Sequence, residues 1–505
     1  MKRYDDIVVG GGISGMTLAL LMALNGRSVL LLEKSSRIGG SIARFYKEGI
    51  PFDTGFHFTG GFHENGVLYD MLGVLGIQDV VQPVYLTKAE DNRFVLEEGQ
   101  GVYDLPSGYQ ATICRMKEYF PRDTRAIERY FGMVKGVCTG TGGMNLRDIA
   151  VSAWSGLEED RVSLGEVLSG LTDNRELKGL LAGLSMCYGV RPGEMSFANH
   201  SRVTYGLYES VARVENGGDA FISAFEKRFS ELDVEVRPSS WIRECGGVHE
   251  SRVGWFALNS GEEVSCEHCI FTIHPQEILR ILPRQHLSKA FVNRVSDFEP
   301  SIGLFCVYSV VEGNGVRSDG AQAFGPSVLS VFPTADIDAL FDARYKGDRA
   351  LVIMRNLEKA GGIVHQVVNA CEVSCVEEWE AWKDSTLDSR PAGYEEYKER
   401  RVARVRERIV AAYPEYAGSL RVVDAASPLT FKAYLNSPDG SAYGIKQKMA
   451  QFNLFGKLPL RNLYAAGQSS LLPGLVGAMM SSFIVGRSIV GKEAYGSFLK
   501  RRLGC

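Results

Sequence analysis

Apolar positions along this chain come in two textures. One consists of short, unbroken β-branched or leucine-rich runs that pass through glycine into longer apolar stretches. Asp6–Val9 predicts a strand, Ile13–Leu24 a helix and Ser28–Glu33 a second strand. That alternation belongs to a doubly wound parallel sheet covered by helices. It recurs in the middle, where Gly217-Gly218 open a helix to about Ser230 and the strand Val234–Arg237 follows. A polar-apolar meander then runs to Val264, and Cys269–Ile273 predicts the closing strand. It recurs at the end, where the strand Asn462–Ala466 runs into Gly467 and a helix begins near Gly474.

The second texture fills the gaps. Residues 81–211 are helix-prone and rich in Tyr, Met and Leu, and residues 286–414 hold strand candidates at Gly303–Val311 and Ala350–Arg355. The stretch Tyr394–Ala412 predicts a charged helix with Val402, Val405, Ile409 and Ala412 on one face. The expected fold is α/β: a Rossmann-like, mostly parallel-sheet domain with an inserted α+β domain. The first takes residues 1–80, 212–285 and 415–505, and the second takes 81–211 and 286–414.

Composition narrows the classes. A chain of 505 residues exceeds the usual size of one core and buries roughly three-quarters of its unfolded surface, room for a large cofactor. A net charge of -4 carries no polyanion signal, so no nucleic-acid partner is expected. Lys2 and Arg3 precede an apolar stretch, but Asp5, Asp6 and Gly10-Gly11-Gly12 break the pattern of a secretory signal. Gly474–Gly491 is interrupted by glycine, serine and Arg487, whereas a membrane span needs about 20 mostly apolar residues. Ten scattered cysteines suit a reducing compartment. A cytoplasmic location is expected, with peripheral contact at a membrane surface left open. Cys266/Cys269 and Cys371/Cys375 have zinc-like spacing, but Cys269 opens an apolar strand where cysteine behaves as a small hydrophobe. No metal is expected.

The chemistry-bearing residues begin with Gly10-Gly11-Gly12-Ile13-Ser14-Gly15, a GxGxxG between a strand and a helix. Gly10 permits the tight turn, Gly12 admits a pyrophosphate to the backbone, and Gly15 lets the helix pack closely on the strand. Ile13 and Ser14 lie in the first turn of that helix, whose free N–H groups attract phosphate. Glu33 ends the next strand, where a carboxylate accepts ribose hydroxyls and repels a 2′-phosphate, favouring FAD or NAD over NADP. Lys34, Arg37, Gly39, Gly40 and Ser41 follow; the glycine pair lets backbone pass beside a dinucleotide, and Arg37 has the reach of a phosphate. A simple NAD site needs no such second glycine site, so FAD is the expected cofactor. Near the other end, Gly467-Gln468 and Pro473-Gly474-Leu475-Val476-Gly477 form another glycine-rich helix start; a plain packing helix is the alternative.

Together these residues resemble the carotenoid desaturase, carotenoid isomerase and retinol saturase family, whose superfamily includes flavin amine oxidases and GDP-dissociation inhibitors. Gly10–Gly15, Glu33-Lys34 and Gly39-Gly40-Ser41 match its FAD-binding start. Phe52-Asp53-Thr54-Gly55-Phe56-His57 is similar to a retinol-saturase element that adds Gly55 to the expected cofactor contacts. Pro428–Tyr434, Gly440–Gly444 and the ending Gly467–Ala478 are similar to saturases and isomerases. The chain departs at Ser41, where amine oxidases usually carry Arg, and at Val214-Glu215-Asn216 before Gly217.

The resemblance implies hydride exchange between flavin and a carbon of a hydrophobic polyene or isoprenoid, with a proton moving at the neighbouring carbon. Candidate proton donors or orienting groups are His57, Tyr434, Tyr443 and Gln468, with core or wall packing as the alternative. His63, His200 and His274 fit structural places, and Asp53 fits a backbone-bonding turn. Met133, Met144, Met186, Met195, Tyr188, Phe197, Tyr205 and Tyr208 fit either an apolar tunnel or ordinary core. The alternatives are a cis–trans isomerase using reduced FAD, a flavin amine oxidase, and a non-catalytic prenyl or lipid binder.

Overall fold

The computed structural model describes residues 1–147, 156–313 and 325–504. Among these residues, eight strands form a first sheet, with Lys2–Val9 at its centre. Lys2–Val9 pairs in parallel with Glu263–Phe271 on one side and Val29–Leu32 on the other. Glu235–Arg237 and Leu463–Ala465 extend the parallel part. Such strands are covered on both faces, which is why Val29–Leu32 is buried at all four positions and reads as an unbroken apolar run. The strands Ile242–Gly246 and Trp255–Leu258 add an antiparallel edge.

The helix Ile13–Leu24 starts immediately after the first strand and is buried from Ile13 to Ala23. Against it packs the helix Gly474–Val490. Met16, Leu20, Met479, Met480 and Phe483 are almost fully buried in the shared core. Each such side chain contributes roughly 1.5–3 kcal/mol by leaving water. This seam brings together the first and last glycine segments of the chain.

A second sheet of seven strands runs Leu420–Ala426, Gly303–Val311, Ile363–Ser374, Leu351–Ala360, Val328–Phe332, Asn92–Leu96 and Gly101–Asp104. Its pairings are antiparallel except between Val328–Phe332 and Asn92–Leu96. The helix Ala392–Ala412 buries Tyr394, Val405 and Ile409 in a core shared with this sheet. Leu420–Ala426 corrects the expected boundary at residue 415, because it pairs with Gly303–Val311 instead of joining the first sheet. It is an edge strand with a half-exposed middle, and its mixed pattern does not say which sheet it joins. Described helices between residues 109 and 209 share a core with the second sheet.

Candidate active site

The turn after Lys2–Val9 is held by its neighbours. Gly39 N–H donates to the Gly11 carbonyl at 2.8 Å, and Gly12 bridges Gly39, so the two N-terminal glycine sites touch. A Cβ on Gly15 would sit 1.8 Å from the Gly10 carbonyl oxygen, so glycine alone permits this strand–helix contact. Glu33 accepts from Gly11 N–H at 2.6 Å and Ser35 N–H at 2.7 Å. Each oxygen retains a further acceptor site for a ribose hydroxyl.

The last glycine segment reaches the same place. Ser14 Oγ lies 2.8 Å from Ser482 Oγ and 3.3 Å from Ser481 Oγ, and Gly467 N–H donates to Ser481 Oγ at 2.7 Å. A cavity of about 480 Å³ opens beside the seam, lined by Ile13, Ser41, Gly55, Gln468 and the stretch Gly474 to Gly477. Gly10, Gly12, Gly15, Glu33, Gly39, Gly40 and Gly467 do not line it. Ser14 is buried in the helix seam. Lys34 and Arg37 point to solvent, and Arg37 donates to the Arg44 carbonyl, so its guanidinium is engaged within its own loop.

FAD fits these residues. A Cβ on Gly12 would meet no atom within 4 Å, leaving open space in front of the turn. The helices starting at Ile13 and Gly474 have no side-chain cap and no acid in their first turns, so both offer bare N–H groups to an anion.

The cavity wall is otherwise mostly apolar, with Phe56, Phe58, Leu304, Phe431 and Leu435 among its residues. His57 lies on it with Nδ1 3.4 Å from Asp53 Oδ1 and Nε2 3.5 Å from Thr54 Oγ1. Asp53 does more than bond a turn: Arg44 Nε lies 3.2 Å from the same oxygen. Arg44 also pairs with Glu358 at 2.6 Å, and Glu358 pairs with Arg213 at 3.1 Å. Burial pushes the Asp53 carboxyl up, but His57, Arg44 and Arg213 together outweigh it and hold it below its ordinary value.

Gln468 lines the cavity near the last glycine segment, and its carbonyl accepts from Gln447 Nε2 at 3.4 Å. Tyr443 also lines it, but its hydroxyl donates to the Met186 carbonyl at 2.7 Å. Burial raises that phenol well above its ordinary value. Tyr434 is a correction. It is 66% exposed at the end of the short helix Pro428–Tyr434, where Phe431 and Leu435 take the cavity side.

His63 is a second correction, since it lines the cavity, 3.6 Å from Glu209. His200 is fully buried between Tyr130 and Tyr188 hydroxyls at 2.6 and 3.0 Å. His274 caps the helix Pro275–Ile281. Met144 and Tyr205 line the large cavity, and Met186 and Tyr208 line a smaller apolar slot of about 60 Å³. Met133 is partly buried against the core, and Met195, Tyr188 and Phe197 are buried core.

Glu209, Arg202 and Arg213 carry charge on the wall and were not singled out in the sequence. A signal existed: Arg202, Tyr205, Gly206 and Glu209 recur at i, i+3, i+4 and i+7, one stripe of the helix Phe197–Glu209. Gly206 is where that helix meets the Gly55–Gly61 loop. A Cβ on Gly60 would lie 2.1 Å from the Gly206 carbonyl carbon.

A Rossmann-like sheet, two glycine-lined helix starts at one cavity and an apolar inner wall define an FAD-dependent oxidoreductase. The family described as flavin containing amine oxidoreductase matches residues 13–412, and the chain belongs to it. It is similar to the all-trans-retinol 13,14-reductase of Danio rerio, 24% identical over 98% of this chain and 87% of that protein. A shorter match, 27% identical over 29% of this chain and 25% of the relative, is to prolycopene isomerase 2 of an Oncidium hybrid cultivar. Among solved structures, an oxidoreductase from Methanosarcina mazei shares the fold, with a TM-score of 0.63 at 12% identity over 95% of this chain and 99% of that one. Among the described residues, no helix is long and apolar enough to cross a membrane.

Proposed function

We propose that this oxidoreductase saturates a carbon–carbon double bond in a hydrophobic polyene of the retinoid or related isoprenoid class. The observation that carries this reading is the cavity itself: a mostly apolar space beside both glycine segments, with an imidazole–carboxylate pair, His57 and Asp53, near Gly55. Similarity to retinol 13,14-reductases over nearly the whole chain supports the substrate class. Bound and reduced, FAD supplies a hydride to one carbon of the double bond.

The chain's own residues do the rest. Gly12 and the Gly474–Gly477 turn hold the dinucleotide, and Phe56, Leu304 and Phe431 exclude water from the alkene. His57 delivers a proton to the second carbon, and Asp53 keeps the imidazole oriented. His57, with Arg44 and Arg213 behind it, holds the Asp53 carboxyl below its ordinary value against the effect of burial.

Anaerobic incubation of the reduced holoenzyme with all-trans-retinol tests the reading. Saturation gives a product heavier by two hydrogens; an unchanged mass with altered geometry assigns isomerisation instead. Peroxide release in air on amine addition would assign amine oxidation.

A further inference from the structure

The cavity contains a second carboxylate–imidazole pair that the proposed reaction does not use. Glu209 ends the helix Phe197–Glu209, and His63 comes from the loop that crosses this helix. His63 Nε2 lies 3.6 Å from Glu209 Oε2, and His63 Nδ1 lies 3.4 Å from Ser210 Oγ. Tyr205 lies one turn earlier on the same helix and lines the same wall. Side chains of His63 and Glu209 keep 37% and 24% of their surface accessible, and both line the cavity.

Other charged groups on this wall are committed. Arg202 bonds Asp160, Asn199 and Thr141, Arg213 pairs with Glu358, and Asp53 faces Arg44 and His57. A carboxyl offers about four acceptor sites, and the contact with His63 takes up only part of them. Covering these partly exposed polar groups with an apolar substrate costs free energy unless a polar group of that substrate meets them.

From this geometry we infer that Glu209 and His63 bind the hydroxyl end of an otherwise apolar substrate, an inference that rests on the polyene reading above. Burial raises the Glu209 carboxyl above its ordinary value, against the opposing pull of Tyr205, His63 and Lys135. A carboxyl driven toward its neutral form suits a neutral alcohol, which can both donate and accept, better than an ammonium. The assignment gives the cavity a direction: polar end at Glu209, reacting carbons toward His57.

Binding to the oxidised holoenzyme tests this without turnover, read as a perturbation of the flavin absorbance. The probes are all-trans-retinol, its methyl ether, all-trans-retinylamine, and the saturated pair 1-hexadecanol and its methyl ether. Wild type is expected to bind each alcohol about tenfold tighter than its ether, the effect of one good hydrogen bond to a charged or strongly polar group. Glu209→Ala should bind retinol as weakly as the ether, and Glu209→Gln, which keeps a donor and an acceptor, should restore the preference. Equal affinity for alcohol and ether in wild type overturns the inference, as does a preference that survives Glu209→Ala. Retinylamine binding tighter than retinol overturns it too. The wild-type comparisons decide even if a substituted protein fails to hold FAD. A preference in the hexadecanol pair alone, with no retinol binding, would sink the polyene reading and leave the hydroxyl site standing.

Discussion

Ser14 and Ser482 are 468 residues apart in the chain, yet their hydroxyl oxygens lie 2.8 Å from each other in the buried seam between two helices. That contact sets the first glycine turn and the last glycine-rich helix start beside one cavity. Ser482 Oγ also bonds the Ser14 carbonyl at 2.8 Å, so the seam is fixed by backbone as well as side chain.

Substitution at Gly12 separates cofactor binding from folding. Gly12 has φ -73° and ψ -179°, which any residue adopts, and a Cβ there meets no protein atom. Gly12→Val is therefore expected to fold with the apo-protein's thermal midpoint while losing FAD, because its side chain fills the phosphate's approach. Flavin absorbance after purification and a melting curve measure both. Full FAD occupancy would contradict the assignment of this turn.

His57→Phe keeps the ring's bulk and removes its proton. The variant should retain FAD and lose about 100-fold in turnover, at the low end of general acid catalysis. Steady-state rates at matched flavin content check it, and unchanged turnover would return His57 to the cavity wall.

The two tyrosines divide in the opposite sense from their sequence positions. Tyr443→Phe strips the Met186 carbonyl of a partner, so it should cost about 1–3 kcal/mol of stability with turnover within a few-fold of wild type. Tyr434→Phe, on a side chain in solvent, should change neither. Denaturant unfolding beside activity distinguishes the pair; a large loss of turnover in either one would restore it as a catalytic candidate.

His200 makes stability depend on pH. Burial lowers its imidazole to about 3, so the folded protein keeps it neutral while the unfolded chain protonates near 6.5. Its contribution is complete above about pH 6.5 and declines as pH falls toward 3. At pH 5 the loss is about 2 kcal/mol. His200→Gln should be less stable at neutral pH, through its broken tyrosine bonds, yet show a shallower decline between pH 7 and 5. An equal loss of unfolding free energy between pH 7 and 5 in the two proteins, measured by urea titration at each pH, would contradict this.

Local pattern carried elements of both sheets. Ile13–Leu24, packed on the first, and Gly303–Val311, in the second, are the helix and strand that apolar spacing predicts, because each is specified by its own residues. Glu33 follows its strand as the turn chemistry requires. What the sequence hid depends on residues distant in the chain. Arg44 and Glu358, 2.6 Å apart, come from a loop and a strand of different sheets, and no periodicity links them. His63 sits in a loop with no repeat to orient it, so its place beside Glu209 needed the crossing at Gly60 and Gly206. Tyr434 misled for a related reason: a seven-residue helix fixes its face only when its packing is known.

The most direct test is an anaerobic titration of the reduced holoenzyme with all-trans-retinol, followed at the oxidised-flavin absorbance band. If the cavity is where hydride and alkene meet, oxidised flavin returns in a one-to-one ratio with retinol consumed, and His57→Phe slows that return. Flavin that stays reduced while retinol disappears, or retinol that remains untouched, would contradict the account.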